Sequence, residues 1–207
     1  MASAPGGKAL DLAIQMDNEG EMFCCEISKN RSSTLRKLLK KTGVSVAEVL
    51  NIDSSTLRIA AEGEKVEKEG ENGIFKKPFD KILLDAPCSD TGIRGRFYSE
   101  ESASTMHCYP AVQKKLIFSA VPLLKEGGNM VYSTCSLSPL ENEQVVRWTL
   151  DNFPAMKLVE QSPFLGENPC VSKWLEESER LKIQKFVPSE KQNFSGFFIA
   201  KFQKTKL

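Results

Sequence analysis

Short apolar segments alternate with amphipathic ones along most of these 207 residues, and this alternation limits the fold more than any other feature. Met22-Phe23-Cys24-Cys25-Glu26-Ile27 predicts a short buried strand. Residues 30–42 set Leu35, Leu38 and Leu39 on one helical face and stop at Gly43. A strand is expected over 44–52, ending at Asp53, and another over 79–85, followed by a loop from 86 to about 106. Pro110 suits the first turn of a helix running to 124. Gly127 and Gly128 turn the chain into a strand at 129–133, and 139–153 is helical again, with Val145, Val146, Trp148 and Leu150 for its core face. Residues 195–202 close as a strand of an antiparallel element, and 160–182 is irregular. Such an order implies right-handed crossovers and an α/β fold with a doubly wound, mostly parallel sheet and an antiparallel C-terminal strand. The length suits a single domain over 1–207. The charged, glycine-containing stretch 61–77 predicts a flexible surface insertion.

The first eight residues read as a loop running straight into an amphipathic helix over 9–16. A loop of that kind follows a strand, so the first central strand is expected to be missing and the chain to be incomplete at its N-terminus. Lys and Arg number 28 against 27 Asp and Glu, so any nucleic acid must be met by local patches rather than a basic tail. No apolar run approaches the roughly 18 residues of a membrane helix, no signal peptide opens the chain, and no membrane partner is expected. The six cysteines, at 24, 25, 88, 108, 135 and 170, form no CxxC pair, and His107 is the one histidine. That argues against a metal site and a disulfide framework, and for reduced thiols in an intracellular, cytoplasmic or nuclear protein.

In an open parallel sheet, ligands sit beyond the carboxyl ends of the strands. The stretch 1–8, Glu26, Asp53, 85–88 and Cys135 all fall at such ends. Gly6 and Gly7 let backbone approach a ligand where a helix begins and its free N–H groups point outward; a tight turn is the plain alternative. Glu26 is placed to accept from ribose hydroxyls, or is a solvated charge. Asp53 is placed to touch an adenine edge, or caps a helix beside Ser54 and Ser55. Asp85-Ala86-Pro87-Cys88 brings a carboxylate and a thiol out of a buried strand, and Ser133-Thr134-Cys135-Ser136 repeats the arrangement one strand on. Two such thiols could form a redox pair, attack an electrophile, or serve a nucleic-acid base. Arg94, Arg96, Tyr98 and His107 are candidates for touching RNA.

Ala4-Pro5-Gly6-Gly7-Lys8, Asp85-Ala86-Pro87-Cys88-Ser89, Tyr132-Ser133-Thr134-Cys135-Ser136, Glu141-Asn142-Glu143, and Pro188 with Gly196-Phe197-Phe198-Ile199-Ala200-Lys201 resemble, in order, the motifs of the Sun-domain RNA cytosine-5 methyltransferases. Arg94, the helix at 113–120 and Phe153-Pro154 are most like the branch acting on tRNA near its acceptor end. The resemblance implies a Rossmann-like methyltransferase fold, S-adenosylmethionine as cofactor, and RNA, in particular tRNA, as partner. It implies that Cys135 attacks C6 of cytosine, that Asp85 positions the base through N3 and N4, and that Cys88 assists product release. Lys8 would lie near the target base. The cofactor would be held by Ala4, Pro5, Gly6, Gly7, Lys8, Glu26, Asp53 and Asp85. The family usually carries cysteine where Ser3 stands and commonly aspartate where Glu26 stands, and glutamate can make the same ribose contact. Two alternatives stay open: a catalytically silent, truncated protein of the same fold that binds RNA or cofactor, and a thiol redox protein, which would leave Asp85 and the glycine loop unexplained.

Overall fold

The computed structural model describes residues 1–93, 108–167, 172–188 and 194–206. The chain forms two compact units, Met1–Pro78 and Phe79–Leu207. The RNA-contact candidates Arg94, Arg96, Tyr98 and His107 lie outside the described residues.

In the first unit, β1 (Met22–Cys25) pairs in parallel with β2 (Ala47–Leu50), with Met22 opposite Ala47 and Cys25 opposite Leu50. The crossover is α2 (Lys29–Lys41). Ser28 caps it by accepting the Arg31 N–H, and Lys40 and Lys41 sit in its last turn, where the helix dipole favours positive charge. Its inward face is Ser32, Leu35 and Leu39, a helical spacing, and Leu35 and Leu39 pack with Ala4, Ala9 and Cys24. Fully burying a leucine of this kind contributes roughly 1.5–3 kcal/mol. Helix α1 (Gly7–Gln15) supplies Ala9 and Ala13. Gly6, at φ 119°, starts it, and a Cβ there would stand 2.6 Å from the Leu35 side chain. Glycine is thus required at position 6 both by backbone conformation and by space. Within 61–77 the chain makes a 3-10 turn at Glu71–Gly73 and the strand β4 (Ile74–Phe75), which pairs in parallel with β3 (Arg58–Ile59).

The second unit is built on β5 (Phe79–Asp85), with the bounds expected of it, parallel to β6 (Leu124–Thr134). Helix α3 (Tyr109–Leu123) connects them and buries Leu116, Ile117, Ala120 and Val121. The strand expected from 129 begins five residues earlier and passes through Gly127 and Gly128, with a register irregularity against Phe79 and Lys81. Gly127 takes a positive φ of 76°, and a Cβ on Gly128 would meet the Asp80 carbonyl at 2.9 Å, so the two glycines make a bulge within the strand rather than a turn before it. The helix expected over 139–153 starts only at Glu143 (α4, Glu143–Asn152). Its core face is Glu143, Val145, Val146 and Thr149 rather than one carrying Trp148 and Leu150.

Strand β9 (Phe197–Lys204) runs antiparallel to β6, and Phe198, Ala200 and Phe202 point into the core. Its other edge takes β8 (Ile183–Phe186) along the first half and β7 (Met156–Leu158) along the second, both antiparallel. A one-turn helix, α5 (Glu177–Arg180), falls in the stretch read as irregular. The architecture is therefore α/β, with parallel strand pairs and an antiparallel C-terminal strand. No helix among the described residues is long and apolar enough to cross a membrane.

Candidate active site

At the carboxyl end of β1, Glu26 is buried, 2% exposed, and its carboxylate ties two backbones together. Oε2 accepts the Ala4 N–H at 3.3 Å and Oε1 the Ser28 N–H at 3.0 Å. The Arg31 guanidinium donates to the Ala4 carbonyl at 2.6 Å. The loop of Ala4, Pro5, Gly6 and Gly7 is thus fastened to the end of β1 and the start of α2. Gly7 is exposed, with nothing within 4 Å of where a Cβ would stand, and the exposed Lys8 follows it on α1. Beyond β2, Asp53 caps a 3-10 turn: its Oδ1 accepts the Ser55 N–H at 2.8 Å. Capping, the plainer of its two readings, is therefore one thing this carboxylate does. An ionised carboxylate has about four acceptor positions, so both Glu26 and Asp53 retain capacity for a ligand hydroxyl or amine. Burial pushes the Cys25 thiol up to about 11 and raises Cys24 as well, which makes both inert packing groups.

In the second unit, β5 and β6 lie side by side and deliver Asp85 and Cys135 from adjacent ends. Ser133 Oγ donates to Asp85 Oδ1 at 2.8 Å, and the Ala86 N–H donates to the Ser133 carbonyl at 2.9 Å. The Cys88 and Cys135 sulfurs are 3.4 Å apart. Asp90 stands against both, with Oδ1 3.1 Å from the Cys135 sulfur and 3.5 Å from that of Cys88. The two thiols differ in setting. Cys88 is buried, whereas Cys135 is partly exposed. The hydrogen bond with Cys135, and then burial, hold the Cys88 thiol far above its ordinary range, so it stays protonated at neutral pH.

Both thiol-bearing loops are held by one buried carboxylate, Glu141, which is 1% exposed. Glu141 Oε1 accepts from Ser89 Oγ at 2.5 Å and Ser136 Oγ at 2.9 Å, and Oε2 accepts the Ser89 N–H at 2.9 Å. The Gln113 amide, on α3, donates to Oε2 at 3.4 Å and to the Pro87 carbonyl at 2.9 Å. Asn142 completes the clamp, donating to the Ser136 carbonyl at 2.8 Å and accepting from Thr134 Oγ1 at 2.6 Å. Tyr132 donates its hydroxyl to the Glu141 carbonyl at 2.6 Å; burial, and then the Glu141 charge, keep that phenol protonated. Backbone closes the remaining gap. The Gly92 N–H donates to the Cys135 carbonyl at 2.9 Å, and the Gly196 N–H to the Gly92 carbonyl at 2.7 Å. A Cβ on Gly92 would stand 2.7 Å from both the Cys135 and Gly196 carbonyl oxygens, so only glycine fits there.

Asp85, Cys88 and Cys135 are legible in the sequence, Ser89 and Ser136 stand in the same motifs with no role attached, and Asp90 and Gln113 carry no such signal. The one cue to Asp90 is its place two residues after Cys88. Glu141 was visible in a motif and had no role attached to it.

Parallel strands joined by helical crossovers thus bring a carboxylate and two thiols to adjacent strand ends. A family model, 16S rRNA methyltransferase RsmB/F, matches residues 1–203, and the chain belongs to that family. It is 35% identical over its whole length to the tRNA (cytosine(72)-C(5))-methyltransferase of Pyrococcus horikoshii, of which it covers 46%. It is 31% identical to human tRNA (cytosine(72)-C(5))-methyltransferase NSUN6, covering all of this chain and 48% of that protein. The crystal structure of NSun6 from Pyrococcus horikoshii with SFG superposes with a TM-score of 0.81 at 34% identity, over 100% of this chain and 47% of that one. The chain thus spans about half the length of the relatives it matches.

Proposed function

We propose that the chain transfers a methyl group from S-adenosylmethionine to C5 of cytosine in RNA, with 1–207 acting as one catalytic domain and tRNA as its substrate. The observation that carries the reading is the pair of thiols 3.4 Å apart, one partly exposed and one buried and protonated, on the loops that follow the adjacent strands β5 and β6. Two relatives named for tRNA cytosine methylation support the choice of tRNA.

Cytosine C5 is a weak nucleophile until a thiolate adds at C6. Cys135, the accessible thiol, makes that bond. Asp85, oriented by Ser133, faces N3 and N4 of the ring and accepts from the N4 amine, and the proton given up by Cys135 ends on N3, where it neutralises the charge that builds up. S-adenosylmethionine, when bound, supplies the methyl group for the activated C5. Cys88 serves the opposite end of the reaction: its thiol proton passes to the Cys135 sulfur, 3.4 Å away, as that sulfur leaves C6, and the proton lost from C5 replaces it on Cys88.

The cofactor fits the residues at the carboxyl ends of β1 and β2. Gly7 leaves open space at a helix start, flanked by Ala4, Pro5, Gly6 and Lys8, Glu26 suits the ribose hydroxyls and Asp53 the adenine edge. A charge-assisted contact of the Asp53 kind contributes about 1.5–3 kcal/mol. Calorimetric titration with S-adenosylmethionine is expected to show binding that Asp53→Ala weakens by about 10–100-fold; unchanged affinity would remove Asp53 from the site.

The test of the whole reading is transfer of a labelled methyl group from S-adenosylmethionine to a tRNA transcript, followed by nuclease digestion. Label in 5-methylcytidine is expected. If the protein binds the cofactor and tRNA yet transfers no label, it is a binding protein and the reading fails; label in ribosomal but not transfer RNA overturns the choice of substrate.

A further inference from the structure

The absence of a CxxC pair bears only on ligands close together in the chain, whereas Cys88 and Cys135 come together from 47 residues apart. With Asp90 they form a triangle of donor atoms with sides of 3.4, 3.5 and 3.1 Å. Around tetrahedral zinc, with bonds of about 2.3 Å to sulfur and 2.0–2.2 Å to oxygen, two thiolates stand roughly 3.8 Å apart and a thiolate and a carboxylate oxygen roughly 3.5 Å apart. The triangle therefore needs to widen by only a few tenths of an ångström to take such an ion. The scaffold around it is firm, because Glu141, Asn142 and Gly92 fasten both loops.

We propose that Cys88, Asp90 and Cys135 form a binding site for a thiophilic divalent cation of the zinc class, with the fourth coordination position left to water. Two sulfur ligands select a soft or borderline ion over magnesium or calcium. Three protein ligands and one open position are also the pattern of an accessible rather than a structural zinc site. Binding forms two metal–sulfur bonds and one metal–oxygen bond, releases the two thiol protons to water, and moves no electrons. A bound ion occupies both thiols, so it acts as a reversible inhibitor of any reaction they carry out. That consequence rests on the methyltransferase reading; the binding itself does not.

The probe is cobalt(II), added to the full chain without RNA or S-adenosylmethionine, in the presence of a phosphine reductant that holds the cysteines reduced. One equivalent is expected to give a thiolate-to-cobalt charge-transfer band and the strong visible absorption of a tetrahedral ion, both abolished by zinc(II). Cys88→Ser and Cys135→Ser are each expected to remove the charge-transfer band. Asp90→Asn is expected to weaken binding by at least the 10–100-fold that loss of an outer-shell partner costs. Cys24→Ser and Cys108→Ser should leave the spectrum as it is. A second measurement needs no variant: zinc(II) should protect Cys88 and Cys135, but not the exposed Cys108, from alkylation read by mass spectrometry. No charge-transfer band in the unaltered protein, a band that survives loss of either thiol, or equal alkylation with and without zinc overturns the proposal. Failure of methyl transfer leaves it standing.

Discussion

Replacing Cys135 with alanine is expected to abolish both methylated product and covalent adduct, whereas replacing Cys88 with alanine should trap the adduct. The two outcomes differ because attack at C6 and departure from C6 are separate steps. Without Cys135 no bond to the base forms, and turnover should fall by on the order of 10⁴–10⁶-fold, the scale of nucleophile loss in other covalent enzymes. Without Cys88 the attacking thiol and Asp85 remain, but elimination stalls. An intermediate accumulates only when its breakdown is slowed more than its formation, so a protein–RNA species that survives denaturation should appear on a cytosine-containing substrate. The measurement is a denaturing gel of protein incubated with labelled RNA and S-adenosylmethionine, with thermal unfolding of each variant as a control for folding. An adduct with Cys135→Ala and none with Cys88→Ala would exchange the two roles. Unaltered turnover in both would make the thiols structural.

The second large effect is expected at Glu141, which touches neither thiol. Its carboxylate is the common acceptor for the Ser89 N–H, the Ser89 hydroxyl and the Ser136 hydroxyl. In Glu141→Ala the buried Ser89 N–H loses its acceptor, at about 1–3 kcal/mol for a group left unsatisfied, and the Ser89 and Ser136 hydroxyls keep only each other and Thr91. The loops bearing Cys88 and Cys135 then lose their shared anchor, and a displacement of about 1 Å at reacting groups can lower the rate by roughly 10²-fold. Glu141→Gln keeps the shape and one acceptor oxygen, so it should recover part of both losses. A role in positioning predicts that kcat falls while KM for S-adenosylmethionine holds, and that the conservative variant restores rate and stability together. A fall in stability with kcat unchanged would reduce Glu141 to a packing residue.

How much of this was legible beforehand depended on whether the signal was local. Strand β5 was readable to the residue because Ile82 and Leu84 lie within an apolar run that ends at a carboxylate. Helix α2 was readable from the spacing of Leu35 and Leu39 and from Gly43 behind them. Strands β7 and β8 were missed because three or four residues carry no periodicity of their own; they are strands because β9 offers an edge to pair with. The late start of α4 has a similar origin. Glu141 and Asn142 would fit a helix by spacing, but their side chains are drawn to Ser89, Ser136 and Thr134 instead. Cys88 and Cys135 could be expected at neighbouring strand ends, since β5 and β6 were both recognisable. Asp90 lies in a loop with a positive φ of 56°, where no pattern in the sequence announces where its side chain goes.

The position of β9 bears on how the protein is made. Of the five strands in its sheet it is the last to leave the ribosome, yet it lies in the interior, with β6 along one edge and β7 and β8 along the other. Until it is synthesised, β6 has no antiparallel neighbour, β7 and β8 have nothing to pair with, and the Gly92 carbonyl lacks the Gly196 N–H. Closing the sheet joins stretches far apart in the chain, a slow step for a nascent polypeptide. The loop that orders Cys135 is therefore completed only once Gly196 has been synthesised. A ribosome that stops short of Phe197 releases a chain with bare strand edges, prone to aggregate, and with its thiol loops unfastened.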